Sequence, residues 1–254
     1  MTDWAWLFAP WRPEGRPEKS QGLILLNTPL SKPLLETLWH MPLDFTLVGQ
    51  GFLGNTSRTS FRLLADGAAT RLRASHPEFV PDAVLGDLDS ADAETLQWYR
   101  ERGVQVRDLS HDQDTTDLEK CLAAARQDFA CEQVLVAGQF AGLEGRLDHT
   151  MAAFNALLKA QRQGLHAALL SDDCCCAVLL PGPHRLDPLK GGSVGLVPLG
   201  AAVKVSSSGL KYNLQDHVLE WGGLISNSNS VDEEGDGIVW VETDGPLLFM
   251  CSKS

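Results

Sequence analysis

The feature of this sequence that most constrains its fold is the alternation of short apolar runs with amphipathic segments over the first two thirds of the chain. Short apolar runs bounded by glycine or polar residues indicate buried strands, and apolar residues spaced three and four apart indicate helices. The predicted strands are Leu23–Leu26, Phe45–Val48, Phe61–Ala65, Ala83–Leu85, Val134–Ala137 and Ala167–Leu170. The predicted helices are Pro33–Trp39, Ala93–Arg102, Thr116–Asp128 and Thr150–Gln163. This alternation predicts an α/β domain built on a parallel sheet that helices cover.

The pattern changes from Asp172 onward, where short alternating runs are separated by glycine and proline and no amphipathic helix is evident. Such a pattern predicts an antiparallel β domain. Its predicted strands are Cys176–Leu180, Gly192–Pro198, Ala202–Ser206, Gly223–Ser226, Gly237–Thr243 and Pro246–Met250. We therefore expect an α/β domain over residues 1–171 and a β domain over residues 172–254, with a surface loop at Gly49–Ser60.

Charge and cysteine usage limit the classes of partner. The net charge of −12 argues against a nonspecific nucleic-acid binder, because phosphate backbones are held by clustered Lys and Arg. No apolar run is long enough for a membrane span or a secretory signal. The six cysteines form no C-x-x-C pair, which disfavours a zinc site and favours buried thiols in a reducing compartment. We expect a cytoplasmic protein that binds neither nucleic acid nor membrane.

Two carboxylates follow the predicted strand Ala83–Leu85 directly, in the segment Gly86–Ser90. Ligands of an open parallel sheet bind beyond the carboxyl ends of its strands. If the segment stays extended, Asp87 and Asp89 point the same way and can share a magnesium ion, which favours such oxygens. The alternative is a solvated turn in which Asp89 or Ser90 caps the next helix. The motif alone favours neither interpretation.

A second acidic segment, Asp112–Lys120, brings three carboxylates to a predicted helix start. Asp and Thr cap helices and acids complement the helix dipole, which explains one or two of these residues. A third carboxylate exceeds what capping needs and suggests a shared cation with Asp87 and Asp89. Lys120 follows Asp117 by three residues, so the two side chains can meet, and Lys120 can contact a phosphate oxygen.

A third segment, Gly142–His149, places glycines and Arg146 after the predicted strand Val134–Ala137. Glycine permits close approach of backbone to phosphate, and the guanidinium offers several donors to it. A surface loop with an Arg146–Asp148 pair is at least as good an explanation. The chain has no Walker motif, no G-x-G-x-x-G, no H-E-x-x-H and no nucleophile elbow.

Together these segments resemble the thiamine pyrophosphokinase family, of the eukaryotic type. The family motifs A-D-G-x-A, G-D-x-D-S, D-Q-D-x-T-D-x-x-K-C and G-x-x-G-R-x-D occur here in that order. They are Ala65–Ala69, Gly86–Ser90, Asp112–Cys121 and Gly142–Asp148. The β-rich part adds Ser208–Leu214, Gly223–Asn229 and Val241–Asp244, so that the resemblance extends from about Leu23 to the C-terminus. An ordered series of this kind is specific where its single motifs are not.

The resemblance implies an N-terminal Rossmann-like domain, a C-terminal β-sandwich and a homodimer with active sites between subunits. It implies an enzyme that transfers the pyrophosphoryl group of ATP to the hydroxyl of thiamine, giving thiamine diphosphate and AMP with Mg²⁺. The implied metal ligands are Asp87, Asp89 and Asp117, to which Gln113 and Lys120 are added as catalytic residues. The implied ATP- and phosphate-binding residues are Asp66, Ser90, Asp112, Thr116, Lys120, Arg146 and Asp148. Thiamine would contact Gln113, together with Ser226 and Asn229 from the partner chain.

The expected chemistry agrees with these residue types, since phosphoryl transfer needs in-line positioning and neutralisation of charge on phosphate. Asp117 or Asp89 could also accept the proton of the alcohol, and the sequence does not choose between them. Two alternatives are a protein that binds thiamine or its diphosphate without turnover, and a magnesium-dependent kinase for another small alcohol. The five carboxylates disfavour the first, and the segment Ser226–Asn229 disfavours the second. Thr70, His149 and Tyr212 depart from the commonest family pattern without removing a proposed metal ligand.

Overall fold

The computed structural model describes residues 1–11, 21–41, 61–140 and 146–252. The predicted strand Phe45–Val48, the predicted loop Gly49–Ser60, and Gly142 and Gly145 lie outside the described residues. The chain divides into two compact units. One contains Glu18–Gln139 and Gly164–His166, and the other contains Met1–Pro17, Phe140–Gln163 and Ala167–Ser254. We refer to them as the parallel unit and the antiparallel unit.

The parallel unit is built on five strands in the order β6-β2-β3-β4-β5, and each neighbouring pair is parallel. Its strands are β2 (Gln21–Leu25), β3 (Phe61–Ala65), β4 (Ala83–Gly86), β5 (Gln105–Asp108) and β6 (Gln133–Ala137). Its helices are α1 (Lys32–His40), α2 (Ala68–Ser75), α3 (Ala93–Glu101) and α4 (Asp117–Gln127). β3, β4 and β6 are buried along almost their whole length, as expected for a sheet that helices cover. Because the strands are parallel, the segments that follow them emerge at one edge.

Three helices of this unit begin at side chains that cap them. The Ser31 hydroxyl accepts a hydrogen bond from the backbone N–H of Leu34 at the start of α1. Asp92 accepts one from Thr95 at the start of α3, at 2.7 Å. Thr116 and Glu119 form a reciprocal capping box at the start of α4. Each cap satisfies backbone donors that the first turn leaves unpaired, so the helix starts are encoded locally.

The antiparallel unit contains two sheets. One has the order β1-β9-β14-β11-β12, and the other includes β7, β8, β15, β10 and β13, each paired antiparallel to the next. Their strands are β1 (Thr2–Asp3), β7 (His166–Leu170), β8 (Cys174–Leu179), β9 (Gly182–Leu186), β10 (Ser193–Pro198), β11 (Val203–Ser208), β12 (His217–Leu219), β13 (Ser226–Ser230), β14 (Val239–Thr243) and β15 (Leu247–Ser252). A 3₁₀ helix (Ala5–Trp11) and α5 (Leu147–Arg162) complete the unit.

Strand β14 of the antiparallel unit contributes to the core with every second residue, whereas β8 is buried along almost its whole length. Val239, Val241 and Thr243 of β14 are buried, while the residues between them are exposed. The N-terminal segment joins this core, since β1 pairs with β9 and the Phe8 ring packs edge-on against Phe249 of β15, with centroids 6.4 Å apart.

The structure confirms the predicted fold class, a parallel-sheet α/β part followed by an antiparallel β part. One predicted strand differs from it, and the structure has elements that the sequence did not indicate, among them strands β1, β9 and β12 and the 3₁₀ helix. The predicted strand Gly223–Ser226 is wrong, because residues 221–223 turn and the strand is Ser226–Ser230. Helix α2 and strand β5 were not predicted. Among the described residues, no helix is long and apolar enough to cross a membrane.

Candidate active site

Three carboxylates converge at the carboxyl edge of the parallel sheet. β3 ends at Ala65 and β4 at Gly86, so that Asp66 and Asp87 leave adjacent strands whose residues Ala65 and Leu85 are paired. One oxygen each of Asp66, Asp87 and Asp89 lies within 4.8 Å of the others. The topology therefore assembles the cluster that the sequence suggested at this edge, and it brings Asp66 into it.

Asp66 is the buried member of the cluster, with 2% of its surface exposed. Its backbone has φ of +36°, a left-handed conformation that Asp tolerates better than most residues. Its carboxylate accepts hydrogen bonds from the backbone N–H groups of Ser90 (3.0 Å) and Ala91 (3.2 Å). Burial raises the pKa of Asp66 despite these hydrogen bonds. Asp66 thus ties the segment after β3 to the segment after β4.

Asp87 and Asp89 converge through a turn, which corrects the extended geometry expected from the sequence. Leu88 between them has φ of +62°, so the chain is not extended here. The Asp89 N–H lies 3.4 Å from Oδ1 of Asp87, and the Ser90 hydroxyl donates to Asp89 at 2.9 Å. Neither Asp89 nor Ser90 caps the following helix, because Asp92 does so. The capping explanation for this acidic pair therefore fails.

Asp117 reaches the same place from the start of α4. A Cβ built on Gly86 would lie 3.0 Å from Oδ1 of Asp117 and 2.8 Å from Cβ of Asp66. Burial raises the pKa of Asp117, and the charge of Asp87 raises it further. The fourth carboxylate therefore lies close enough to Asp66 and Asp87 to interact with both.

Lys120 forms an ion pair with Asp117 beside this cluster. Its Nζ lies 3.6 Å from Oδ1 of Asp117, one turn away on α4, and its side chain is 5% exposed. Its charge also lowers the pKa of Asp108 and of Asp112, although it is not the main cause for either. A buried ammonium surrounded by carboxylates offsets part of their repulsion.

The residues Asp112–Thr116 form hydrogen bonds that order the segment leading into α4. Asp112 accepts hydrogen bonds from the backbone N–H groups of Asp114 (3.1 Å) and Thr115 (3.2 Å), and the Thr115 hydroxyl is the main cause of its lowered pKa. Gln113 is exposed, and its Nε2 donates to the Ser110 carbonyl at 2.6 Å. Thr116 caps α4, as described above. These contacts hold the chain so that α4 begins with Asp117.

Arg146 and Asp148 lie in the antiparallel unit, at the start of α5. Nε of Arg146 donates to Oδ1 of Asp148 at 3.1 Å, and a second guanidinium nitrogen lies 2.5 Å from Oδ2. Both side chains are more than half exposed. This arrangement is the exposed pair that the sequence left open as an alternative. The part of the guanidinium that does not face Asp148 remains accessible.

Ser226 and Asn229 both lie on β13 of the antiparallel unit, where Ser226 is half-buried and Asn229 is buried. The Asn229 side chain accepts from the N–H groups of Tyr212 (3.0 Å) and Ser230 (2.9 Å) and donates to the Tyr212 carbonyl at 2.7 Å. Asn229 thereby anchors the segment that presents the exposed Tyr212 ring.

Asn229→Ala is expected to lower the free energy of unfolding by about 2 kcal/mol, since it removes three hydrogen bonds around a buried amide. Asn227→Ala, at an exposed position of the same strand, is the matched control and should change it by less than about 0.5 kcal/mol. Urea denaturation of both variants checks this. Equal effects of the two substitutions would contradict the anchoring role.

The raised pKa values of Asp66 and Asp117 predict how stability responds to pH when metal is chelated. A carboxyl group whose pKa is raised by folding contributes stability below its unfolded pKa, and that contribution is lost as pH rises through the folded value. In EDTA, Asp117→Asn should therefore gain stability relative to wild type as pH rises above the ordinary pKa of an aspartyl carboxyl, about 3.9. Denaturation curves across this range measure the difference, and a difference independent of pH would contradict it.

Two contributors to the site carry no sequence signal of their own. Leu88 adopts a left-handed backbone although a leucine gives no reason to expect it. Thr70 of α2 donates to the Asp92 carboxylate at 2.8 Å and accepts from its N–H at 3.1 Å, which links α2 to the start of α3. The Thr70 contact depends on a partner 22 residues away, and no local pattern indicates either feature.

The fold and the site define a class of protein: an α/β sheet protein with a carboxylate cluster at the ligand-binding edge of its parallel strands, joined to an antiparallel β part. Comparison with known families is more specific. Residues 54–169 match the model described as "Thiamin pyrophosphokinase, catalytic domain", and residues 183–248 match the one described as its vitamin B1 binding domain. The chain belongs to the thiamine pyrophosphokinase family.

Plant relatives agree with this assignment. Thiamine pyrophosphokinase 2 of Arabidopsis thaliana is 38% identical over 215 residues, which are 75% of this chain and 77% of that protein. Thiamine pyrophosphokinase 2 of Oryza sativa subsp. japonica is 30% identical and covers 95% of this chain and 89% of its own length. The similarity therefore extends across both compact units.

Solved structures share the fold at lower identity. The yeast thiamin pyrophosphokinase superposes with a TM-score of 0.75 at 17% identity, covering 99% of this chain and 90% of that one. The enzyme from Candida albicans superposes with a TM-score of 0.72 at 17% identity, covering 93% and 90%. These similarities support the architecture.

Proposed function

We propose that this protein is an enzyme, a thiamine pyrophosphokinase that transfers the pyrophosphoryl group of ATP to the hydroxyl of thiamine, giving thiamine diphosphate and AMP. The observation that carries the proposal is the cluster of Asp66, Asp87 and Asp89 at the carboxyl edge of the parallel sheet, in a chain that belongs to this family. Attack of the alcohol on the β-phosphorus requires positioning and charge neutralisation.

The donor set of the cluster fits Mg²⁺, a hard cation that takes carboxylate, water and phosphate oxygens. Asp87, Asp89 and Asp117 are the proposed ligands, and Asp66 lies against them. When bound, the ion neutralises the charge that spreads over the transferred phosphates. Burial, and to a smaller extent the neighbouring carboxylates, raise the pKa values of Asp66 and Asp117, and a bound cation would stabilise both carboxylates in their charged form.

The phosphates of ATP need cations in a chain of net charge −12. We assign Lys120 as a point charge toward a phosphate oxygen, since its buried ammonium lies 3.6 Å from Asp117. Arg146, held by Asp148, offers further donors of a planar guanidinium. Ser90, Asp112 and Thr116 support the phosphate site by positioning the segments that carry these groups.

Thiamine is a cation with an aromatic body. We propose that Gln113 approaches it, because that side chain is exposed at the segment leading to Asp117. Ser226 and Asn229 of the partner subunit would complete the pocket in a homodimer, Asn229 by anchoring Tyr212.

The six free thiols are typical of a reducing compartment, and we propose a cytoplasmic location.

The experiment is an assay of purified protein with thiamine, ATP and MgCl₂, in which AMP and thiamine diphosphate are separated by chromatography. Equimolar, magnesium-dependent formation of both products is expected, and EDTA should stop it. ADP with thiamine monophosphate would indicate an ordinary kinase. Binding of thiamine without turnover would indicate a binding protein, and either result would overturn the proposal.

A further inference from the structure

The parallel unit contains a cavity of about 300 Å³, which α1, α2 and the segment that leaves β2 line together. Its inner wall is apolar, since Leu25, Leu35, Ala68 and Leu72 line it and none of them is more than 7% exposed. The volume is at the lower end of the range of about 300–1,000 Å³ that is typical of small-molecule sites. The cavity therefore suits one flat, apolar ring system better than a long or highly charged molecule.

Aromatic stacking holds one wall of the cavity in place. His76 lines the cavity, is 4% exposed, and stacks on Phe79 with ring centroids 4.9 Å apart. Phe79 stacks in turn on Trp39 of α1, at 4.8 Å. The end of α2 is thereby fixed to the end of α1, so that the cavity exists before any ligand enters.

Two cations lie at the mouth of the cavity. Lys32 and Arg71 line it with exposed side chains. Lys32 lies 3.7 Å from Glu36 in an exposed ion pair, and within the described part of the chain the Arg71 guanidinium has no ion pair or hydrogen-bond partner. Such charges attract an anionic ligand, and a guanidinium also stacks on flat rings. They favour a nucleotide over thiamine, which is a cation.

Gly67 separates this cavity from the carboxylate cluster. It lies between Asp66 of the cluster and Ala68 of the cavity wall. A Cβ built on Gly67 would lie 2.2 Å from Nδ2 of Asn27, in the segment that leaves β2, and 3.1 Å from Cβ of Ser90, whose N–H donates to Asp66. The cavity and the cluster therefore adjoin at the carboxyl edge of the sheet, where ligands of such sheets bind.

The strand spacing sets the distance that a shared ligand has to span. β2, β3 and β4 are successive neighbours. The carboxyl end of β2 is therefore about 5 Å from that of β3 and about 10 Å from that of β4. In ATP, the ribose and the α-phosphate separate the base from the β-phosphorus by a span of this size.

We propose that this cavity is the nucleobase site of the enzyme. The proposal rests on the function proposed above: the purine ring of ATP enters the apolar cavity, and the β- and γ-phosphates lie at the carboxylate cluster. Arg71 covers the ring or the ribose at the mouth, and Lys32 adds positive charge beside it. Thiamine then approaches the phosphates without competing for the cavity.

Photolabelling of the full-length protein locates the base directly. The probe is 2-azido-ATP with MgCl₂, and tandem mass spectrometry identifies the labelled peptides after irradiation. We expect label in the segments 25–35 and 68–76, which excess ATP prevents. Label confined to other parts of the chain would overturn the proposal, and this measurement on wild type needs no variant to fold.

Ser75→Trp and Ala74→Trp form a matched pair on α2, because Ser75 lines the cavity and the exposed Ala74 does not. An indole that fills the cavity should raise the dissociation constant of AMP, measured by calorimetry, by about tenfold or more, the contribution of one stacked base. Ala74→Trp should bind AMP like wild type. Equal AMP binding by the two variants would contradict the proposed site.

Arg71→Ala should raise the dissociation constant of AMP by about three- to tenfold, since it removes a cation from the face of the ring. Arg100→Ala, at an exposed position in the last turn of α3, is its control and should have no effect. A nucleobase site without enzymatic turnover would show AMP binding and cavity labelling but no thiamine diphosphate, and only the proposed function would fail. Thiamine diphosphate formation with label outside the cavity would overturn the nucleobase site alone.

Discussion

Asp87→Asn is expected to lower kcat by about 10³-fold while leaving the fold intact. Asp87 is at the centre of the cluster: its carboxylate lies within reach of Asp66 and Asp89, and its charge acts on Asp117. Asparagine keeps the shape and one oxygen but removes the charge that holds the cation. Losing one preorganised group that stabilises transition-state charge costs about 10²–10³-fold, and weakened metal binding adds to this.

Circular dichroism and thermal unfolding in EDTA check the fold of Asp87→Asn, and the assay for thiamine diphosphate measures its rate across magnesium concentrations. Asp117→Asn should behave in the same way. Glu78→Gln is the control, since it removes one negative charge at an exposed turn away from the cluster and should retain wild-type turnover. Near-normal activity in either Asp variant would remove that carboxylate from the mechanism.

Gly86→Ala is expected to lower the free energy of unfolding by about 3 kcal/mol and turnover by about 10²-fold. Gly86 ends β4 with φ of +157°, and the added Cβ would lie 2.8 Å from Cβ of Asp66 and 3.0 Å from Asp117. Backbone strain and overpacking each cost about 1–3 kcal/mol. Relief of the clash moves two carboxylates of the cluster, and small misplacements of catalytic groups cost about 10²-fold in rate.

Gly103→Ala separates these two causes. Gly103 has φ of +79°, but a Cβ there would meet nothing within 4 Å. Its substitution should therefore cost only the backbone strain, about 1 kcal/mol, and leave turnover unchanged. Urea denaturation and the product assay on both variants give the comparison. Equal losses of stability would show that strain, and not the clash at the cluster, explains the effect of Gly86→Ala.

Most of the parallel sheet could be predicted because its strands are apolar along their length. Phe61–Ala65 was predicted with the bounds that the structure shows, and Val134–Ala137 with an error of one residue. Strand β5, Gln105–Asp108, escaped prediction because its residues are mostly polar and only half-buried at best. Helix α2 escaped because alanines form most of its buried face, which leaves no stripe of large apolar residues.

In the antiparallel unit, strand β13 also could not be predicted, because it lacks an apolar pattern. Its sequence, Ser226–Ser230, contains only serine and asparagine and so has no apolar alternation. Pairing with β10 defines it, including a break in register between Val194 and Leu196. The strand was predicted instead in the more apolar segment before it, Gly223–Ser226, which begins in a turn. Strand pairing, and not local propensity, decides such positions.

The sequence by itself determined the fold class, the family and the acidic segments that follow the strands, because apolar periodicity, caps and ordered motifs are local properties of the chain. Tertiary structure alone decided that Asp66 is the buried member of the cluster and holds the Ser90 N–H group, that the chain turns at Leu88, and that the Asn229 amide hydrogen bonds with Tyr212. These outcomes depend on which strands lie side by side and which groups burial leaves unpaired. Strand neighbours and buried partners are separated by long stretches of chain, so no local pattern specifies them.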